Sequence, residues 1–160
     1  MAKKRIANYV FLPGKATSSY VYPNAYSLFE ANVGFIKKVI EQLQSNLSTD
    51  SNNIFVCGIS NGGFMAQRLA FELSNKIKGI GVVAANLSDV QSEKRVPQNP
   101  VSAIFINGTN DPLVPYYGGN VTAFNKKRGL VLSVEESIEK WKEINGCVEK
   151  LSDTPFPDNN

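Results

Sequence analysis

The feature that most constrains the fold is a short glycine-flanked turn between a strand pattern and a helix pattern. Residues 54–57 (IFVC) form a continuous apolar run, which is typical of a buried strand. Residues 58–62 (GISNG) follow, and residues 61–73 then place apolar side chains at helical spacing. A serine with glycine two residues before and two after it, between a strand and a helix, matches the nucleophile-elbow pattern Gly-x-Ser-x-Gly. The sequence therefore predicts that Ser60 is presented on a sharp turn at the end of a strand.

This turn predicts a specific chemistry. A serine hydroxyl is a weak nucleophile, so a hydrolase has to present it both to its substrate and to a base. In an elbow the small residues Gly58 and Gly62 relieve close backbone contacts around Ser60. The backbone N–H of Asn61, at the start of the helix, is predicted to donate to an oxyanion, because the helix dipole favours negative charge there. The alternative is a tight turn rich in small residues without a catalytic role.

The rest of the chain alternates between strand and helix patterns. Strands are predicted at 9–12, 54–57, 80–84 and 103–106, loops at 15–28 and 86–100, and helices at 29–47, 61–73 and from Ser133, which opens a Ser-x-x-Glu capping box. Apolar strands separated by amphipathic helices favour the α/β class, with a mostly parallel central sheet and helices on both faces. We expect a single domain over residues 1–160.

A second chemical signal follows a later strand. Asp111 comes after the 103–106 strand, and ligands of such folds lie at the carboxyl ends of the strands. The acid of a hydrolase triad follows the serine in chain order, so Asp111 is the first candidate. Its alternative role is to cap an Asx turn before Pro112. Asp89 is a weaker candidate acid, and Asp50 precedes its strand and is expected at the wrong edge of the sheet.

Composition narrows the remaining function classes. Hydrophobic residues make up 42% and charged residues 19% of the chain, and the net charge is +3, all ordinary values for a globular protein. The two basic runs, residues 3–5 and 126–128, are not interleaved with aromatic residues, so no nucleic-acid partner is predicted. No apolar run reaches the roughly 18 residues of a membrane span. No signal peptide, cofactor or metal site is predicted either. The chain contains no histidine.

Four segments resemble the polyhydroxybutyrate depolymerase and feruloyl esterase group of α/β-hydrolases, together spanning about residues 30–147. They are residues 32–36 (NVGFI), 54–63, 108–119 (GTNDPLVPYYGG) and 133–147. The resemblance implies an α/β-hydrolase fold and carboxylic ester hydrolysis through an acyl-enzyme, with Ser60 as nucleophile and Asp111 as acid. It also implies an extracellular location and either polyhydroxyalkanoate oligomers or feruloyl-type esters as substrates. Tyr116 and Tyr117 would line the substrate cleft, or simply pack the loop.

The sequence departs from this group in ways that carry expectations of their own. The family's oxyanion loop and its C-terminal histidine segment have no counterpart here, so we expect a truncated α/β-hydrolase that is near-inactive as an isolated chain. An exposed sheet edge would favour self-association. Two other hypotheses remain open. One is a non-catalytic binding module that keeps the hydrolase fold, and the other is a complete small hydrolase with a different base.

Overall fold

Four parallel strands form the central sheet of the computed structural model, which describes residues 8–12, 26–47, 49–89, 96–123 and 125–148. The strands lie in the order of the sequence, as β1 (Asn8–Leu12), β2 (Ile54–Ile59), β3 (Ile77–Val83) and β4 (Ser102–Ile106). Every neighbouring pair is parallel. Parallel pairing needs a long crossover between consecutive strands, and helices provide two of these crossovers. The predicted α/β class with a parallel central sheet is therefore confirmed, whereas helices on both faces are not found among the described residues.

Three helices accompany the sheet: α1 (Tyr26–Asn46), α2 (Asn61–Glu72) and α3 (Val134–Asn145). All three lie where the apolar periodicity predicted them, although α1 begins three residues before the predicted start at Phe29. The capping box of α3 is formed as predicted, because the Ser133 side chain accepts from the Glu136 N–H and the Glu136 side chain accepts from the Ser133 N–H. The predicted turn and loop at 13–25 lie outside the described residues.

A two-stranded antiparallel sheet was not predicted. Strands β5 (Gly119–Ala123) and β6 (Lys126–Val131) form it. Their sequences, GNVTA and KKRGLV, lack a sustained alternation of polar and apolar residues, so the period of two that marks a strand is missing. Asn125, just before β6, adopts a φ of 56°, a conformation that asparagine tolerates in turns. The hairpin directly follows the segment that contains Asp111.

The two faces of the central sheet differ in burial. On one face Val56, Ile80 and Val82 are buried in a cluster that also contains apolar residues of all three helices. A Cβ on Gly58 would point at Gly62 of α2, so this is the face that α2 covers. On the other face three isoleucines remain about half exposed among the described residues: Ile59 (48%), Ile104 (59%) and Ile106 (56%). Self-association through the sheet stays a prediction.

Candidate active site

Ser60 alone makes the turn between β2 and α2. It has φ 52° and ψ −118°, a region that residues other than glycine rarely adopt. Its N–H donates to the Val83 carbonyl at 2.8 Å, and its own carbonyl accepts from the Phe64 N–H at 3.1 Å. The turn is thus held by β3 on one side and by the first turn of α2 on the other. Strain of this kind persists only where the surroundings enforce it, and it concentrates at functional sites.

The glycines around Ser60 are required by space. A Cβ on Gly58 would lie 2.3 Å from the carbonyl carbon and oxygen of Gly62, so the backbone of α2 would have to move to admit it. A Cβ on Gly63 would lie 2.8 Å from the Cβ of Ala85. The close approach of Gly58 to Gly62 is the kind of contact that the elbow pattern leads us to expect, and the role of the turn in catalysis stays a prediction. The tight packing of Gly63 against the end of β3 did not follow from the sequence.

The ends of β2, β3 and β4 are tied to one another. Ala84, directly after β3, also has a positive φ of 48°, and its N–H donates to the Ile106 carbonyl of β4 at 2.9 Å. Together with the bond from Ser60 to Val83, this links three successive carboxyl ends across the sheet. Since parallel strands end at the same edge, the segments that carry Ser60 and Asp111 both leave from that edge.

Asp111 lies in the loop that follows β4 and is half-buried. Its Oδ1 accepts from the Leu113 N–H at 2.8 Å and from the Val114 N–H at 3.0 Å. The Asx turn considered as the alternative role is therefore present. This turn uses a single carboxylate oxygen, so it leaves Oδ2 for a further partner. Among the described residues, no hydrogen bond to Oδ2 is formed.

The other two aspartates are placed differently. Asp50 precedes β2, at the edge opposite Ser60, where it accepts from the Asn52 N–H and from the Asn53 side chain. This agrees with the expectation that Asp50 is at the wrong edge. Asp89 follows β3 and is half-buried. Asp111 therefore remains the first candidate for the acid.

The two candidate cleft tyrosines follow Asp111 in the same loop. Their rings meet edge-on, with centroids 5.3 Å apart. The Tyr116 carbonyl accepts from the Val134 N–H at 2.9 Å, so Tyr116 anchors the loop to the start of α3. Tyr117 is 77% exposed and is the more accessible of the two aromatic rings.

Sequence reasoning missed a buried polar network beside these segments. It joins Gln67 of α2, Asn86 after β3, Asn107 after β4 and Trp141 of α3. Asn86 falls in the polar stretch 86–100 that was predicted as a loop, so nothing in its neighbours marked it as buried. Within the described part of the chain, no group of three or more histidine, cysteine, aspartate or glutamate residues is placed to hold a metal ion. No helix there is both long and apolar enough to cross a membrane.

Comparison with known proteins identifies the family and the fold. The model of a family described as Phospholipase/Carboxylesterase matches residues 19–136. A crystal structure of a thermostable esterase superposes with a TM-score of 0.51 at 17% identity, covering 69% of this chain and 25% of that one. That superposition agrees with the α/β-hydrolase architecture read from the strands and helices.

Three relatives carry esterase names. A protein of Nocardia uniformis subsp. tsuyamanensis, named as the esterase NocK, is 29% identical over 134 residues, which are 80% of this chain and 39% of the relative. A protein of Aspergillus niger named as a feruloyl esterase C is 29% identical over 152 residues, 86% of this chain and 55% of the relative. Feruloyl esterase B of Piromyces equi is 27% identical over 127 residues, which are 78% of this chain and 24% of the relative. The chain thus spans between about a quarter and just over half of the length of these relatives.

Proposed function

Because the chain belongs to the phospholipase/carboxylesterase family, we propose that it is the nucleophile-bearing part of a serine esterase that hydrolyses carboxylic esters through an acyl-enzyme on Ser60. The observation that carries this proposal is the turn itself. Ser60 has a φ of 52° between β2 and α2, in a space that only glycine at position 58 leaves open. A strained serine on the turn between a strand of a parallel sheet and a helix is the geometry in which α/β-hydrolases present their nucleophile.

The proposed reaction has two halves. A base removes the proton from the Ser60 hydroxyl as Oγ attacks the ester carbonyl carbon, and the negative charge that develops on the carbonyl oxygen is stabilised by the N–H of Asn61 at the start of α2. The tetrahedral intermediate expels the alcohol, which takes up the proton. Water then attacks the acyl-enzyme, releases the carboxylic acid and restores Ser60.

Asp111 is the proposed acid that orients the base. Its Oδ1 is bound in the Asx turn, which holds the carboxylate at the same sheet edge as Ser60. The base of such a triad is a histidine, and these 160 residues contain none. Removing a triad base lowers turnover by on the order of 10⁴–10⁶-fold. The chain by itself is therefore expected to be nearly inactive.

The substrate proposal rests on the relatives and on the loop after Asp111. Two of the three relatives described above are named as feruloyl esterases, which supports an ester of an aromatic acid, such as a feruloyl ester, as the substrate. The exposed ring of Tyr117 is the proposed contact for the aromatic acyl group, with Tyr116 behind it. Short polyhydroxyalkanoate esters are the second substrate class, and an extracellular location is proposed with both.

A fluorophosphonate probe tests the nucleophile. We expect slow labelling of the purified 160-residue chain at Ser60, identified by mass spectrometry of the modified peptide. Added imidazole is expected to accelerate the labelling, because it can act as the missing base, and the Ser60→Ala variant with imidazole is the control. Labelling that is equal in the Ser60→Ala variant would contradict the nucleophile and favour a binding module. Rapid stoichiometric labelling without imidazole would contradict the expected inactivity.

A further inference from the structure

Asn86 has every hydrogen-bonding group of its side chain engaged, although it is fully buried. Its Nδ2 donates to the carbonyl of Pro115 at 2.9 Å and to the carbonyl of Leu132 at 2.8 Å. Its Oδ1 accepts from Nδ2 of Asn107 at 3.0 Å. A primary amide offers two donors and one acceptor oxygen in a fixed plane, and here both donors and the oxygen have partners. Because it is buried and all its side-chain hydrogen bonds are formed, Asn86 restrains the positions of the groups that it binds.

Two of the three side-chain partners of Asn86 flank Asp111. Asn107 lies four residues before it and Pro115 four residues after it. We call the segment from 107 to 115 the acid loop. Asn86 binds the side chain of Asn107 at one end of this loop and the backbone carbonyl of Pro115 at the other. We call this pair of hydrogen bonds, which links the two ends of the loop, the bracket. Between those ends the Asp111 carboxylate accepts from two backbone N–H groups of the loop itself.

The same residue is tied to the helix that Ser60 begins. The Asn86 carbonyl accepts from Nε2 of Gln67 at 2.9 Å, and Oε1 of Gln67 accepts from Nε1 of Trp141 at 3.1 Å. Gln67 is fully buried in α2, less than two turns after Ser60. The neighbouring Ala85 packs where a Cβ on Gly63 would lie. A continuous buried path therefore runs from the helix at Ser60 through Gln67 and Asn86 to both ends of the acid loop.

We propose that Asn86 is a positioning residue that sets the place of Asp111 relative to Ser60, by bracketing the acid loop and fixing it to α2 through Gln67. The proposal rests on the proposed function in one respect, since it takes Asp111 to be the acid. Neither leucine nor aspartate can replace this amide. Leucine takes the Asn86 donor away from the Leu132 carbonyl and from the Pro115 carbonyl, which keeps only the Gly118 N–H, and aspartate sets a carboxylate against both carbonyls.

Ser137 offers a matched control. It is also fully buried, and its Oγ accepts from the Leu87 N–H at 2.9 Å and donates to the Ser133 carbonyl at 2.7 Å. It thus holds Leu87, the residue next to Asn86, with one hydrogen bond and Ser133 with the other, and it has none to the acid loop. Ser137→Ala removes one hydrogen bond from the residue that follows Asn86 and one from the start of α3, and so reports what the loss of buried hydrogen bonds does when the acid loop is not bound directly.

Amide hydrogen exchange of the 160-residue chain, followed by NMR, tests the proposal. In Asn86→Ala we expect exchange of the Val114 and Thr122 amides to accelerate about 10- to 100-fold, since both ends of the acid loop lose their hydrogen bonds to Asn86. The Val114 amide bonds to Asp111 Oδ1 and the Thr122 amide to the Leu113 carbonyl. The Phe64 amide at the elbow should change much less. Ser137→Ala should leave Val114 and Thr122 close to wild type. An equal acceleration in both variants, or a uniform one over all amides, would overturn the proposal.

Asn107→Ala keeps the test decisive if Asn86→Ala does not fold. It breaks one side of the bracket only, and it also removes Oδ1 of Asn107, a buried acceptor that has no hydrogen-bond partner among the described residues. It leaves Oδ1 of Asn86 without its donor, but the carbonyls of Pro115 and Leu132 keep theirs. The global cost should therefore be smaller than that of Asn86→Ala, while exchange at Val114 still accelerates. Unchanged exchange there would overturn the bracket. These readouts need no esterase activity, so a failure of the fluorophosphonate test and a failure of the bracket are distinguishable.

Discussion

The Ser60 turn and the acid loop lie at the ends of two strands of one sheet, yet they are held by opposite means. The turn depends on missing side chains, because Gly58 and Gly63 let backbone and helix approach to distances that a Cβ would forbid. The acid loop depends on side chains that are present, above all the amide of Asn86. The Ser60 turn should therefore be sensitive to added side-chain atoms, whereas the acid loop should be sensitive to the loss of hydrogen-bonding groups.

The largest effect is expected where an atom is added to the turn. Gly58→Ala places a Cβ 2.3 Å from backbone atoms of Gly62, which cannot rotate away as a side chain could. We expect the free energy of unfolding to fall by about 3 kcal/mol or more, at the upper end of the range for overpacking. Urea denaturation followed by circular dichroism measures it.

Gly34→Ala is the control for this variant. Gly34 lies in α1, and nothing lies within 4 Å of the Cβ that it would acquire. Alanine is the better helix former by up to about 1 kcal/mol, so this change should stabilise the protein slightly. If Gly58→Ala were as harmless as Gly34→Ala, the turn would not be held by exclusion and the comparison with the acid loop would fail.

The Ser60 turn could be predicted from the sequence, whereas the hydrogen bonds that hold the acid loop could not. Backbone contacts as close as those at the Ser60 turn require glycine. The sequence shows this requirement as a recognisable pattern, with Gly58 and Gly62 on either side of Ser60 between a strand and a helix. A bracket of amides has no such spacing. Gln67, Asn86 and Trp141 are far apart in the chain and meet only once the sheet and α3 have formed, so each by itself looked like an ordinary polar or core residue. The β5–β6 hairpin was missed for a related reason, since its polar strands carry no period of two.

The next largest effect concerns the amide path. Gln67→Met leaves the indole N–H of Trp141 and the carbonyl of Asn86 unpaired in a buried setting. We expect a loss of about 2–3 kcal/mol in the free energy of unfolding, because each buried unsatisfied group costs about 1–3 kcal/mol. Trp141→Phe should also destabilise, since it removes the indole donor while keeping an aromatic ring near Phe71.

A double-mutant cycle sharpens this result. In the double variant Gln67→Met with Trp141→Phe, both the indole N–H of Trp141 and the amide oxygen of Gln67 that accepts from it are absent, so neither group is buried without its partner. The combined loss should therefore fall short of the sum of the single losses, by about 1 kcal/mol, as is usual for residues in one hydrogen-bonded network. Strict additivity, measured by urea denaturation of all four proteins, would mean that Gln67 and Trp141 are not coupled through their hydrogen bond.

The smallest expected effect is a pH dependence of stability that arises from the Glu136 cap of α3 and should affect the acid-loop side more than the Ser60 turn. Glu136 accepts from the Ser133 N–H at 2.8 Å and from its hydroxyl at 2.9 Å, and these bonds lower the pKa of the Glu136 carboxyl below its ordinary value of 4.5. A lowered pKa in the folded state means that the stabilisation is fully present above pH 4.5 and is lost as the pH falls through the folded value. The cap lies beside the acid loop, since the next N–H, that of Val134, donates to the Tyr116 carbonyl.

We therefore expect the melting temperature of wild type to exceed that of Glu136→Gln near neutral pH, with a gap that narrows as the solution is acidified below pH 4.5. Glu135→Gln, which removes a carboxylate from the same first turn of α3 without touching the cap, controls for the loss of one charge near a helix N-terminus. Over the same pH range, exchange of the Val134 amide relative to that of Phe64 should rise, because the titrating cap supports the loop side and not the turn at Ser60. If both amides responded alike to acid, the two regions would share one support, and the distinction between exclusion and hydrogen bonding would have to be abandoned.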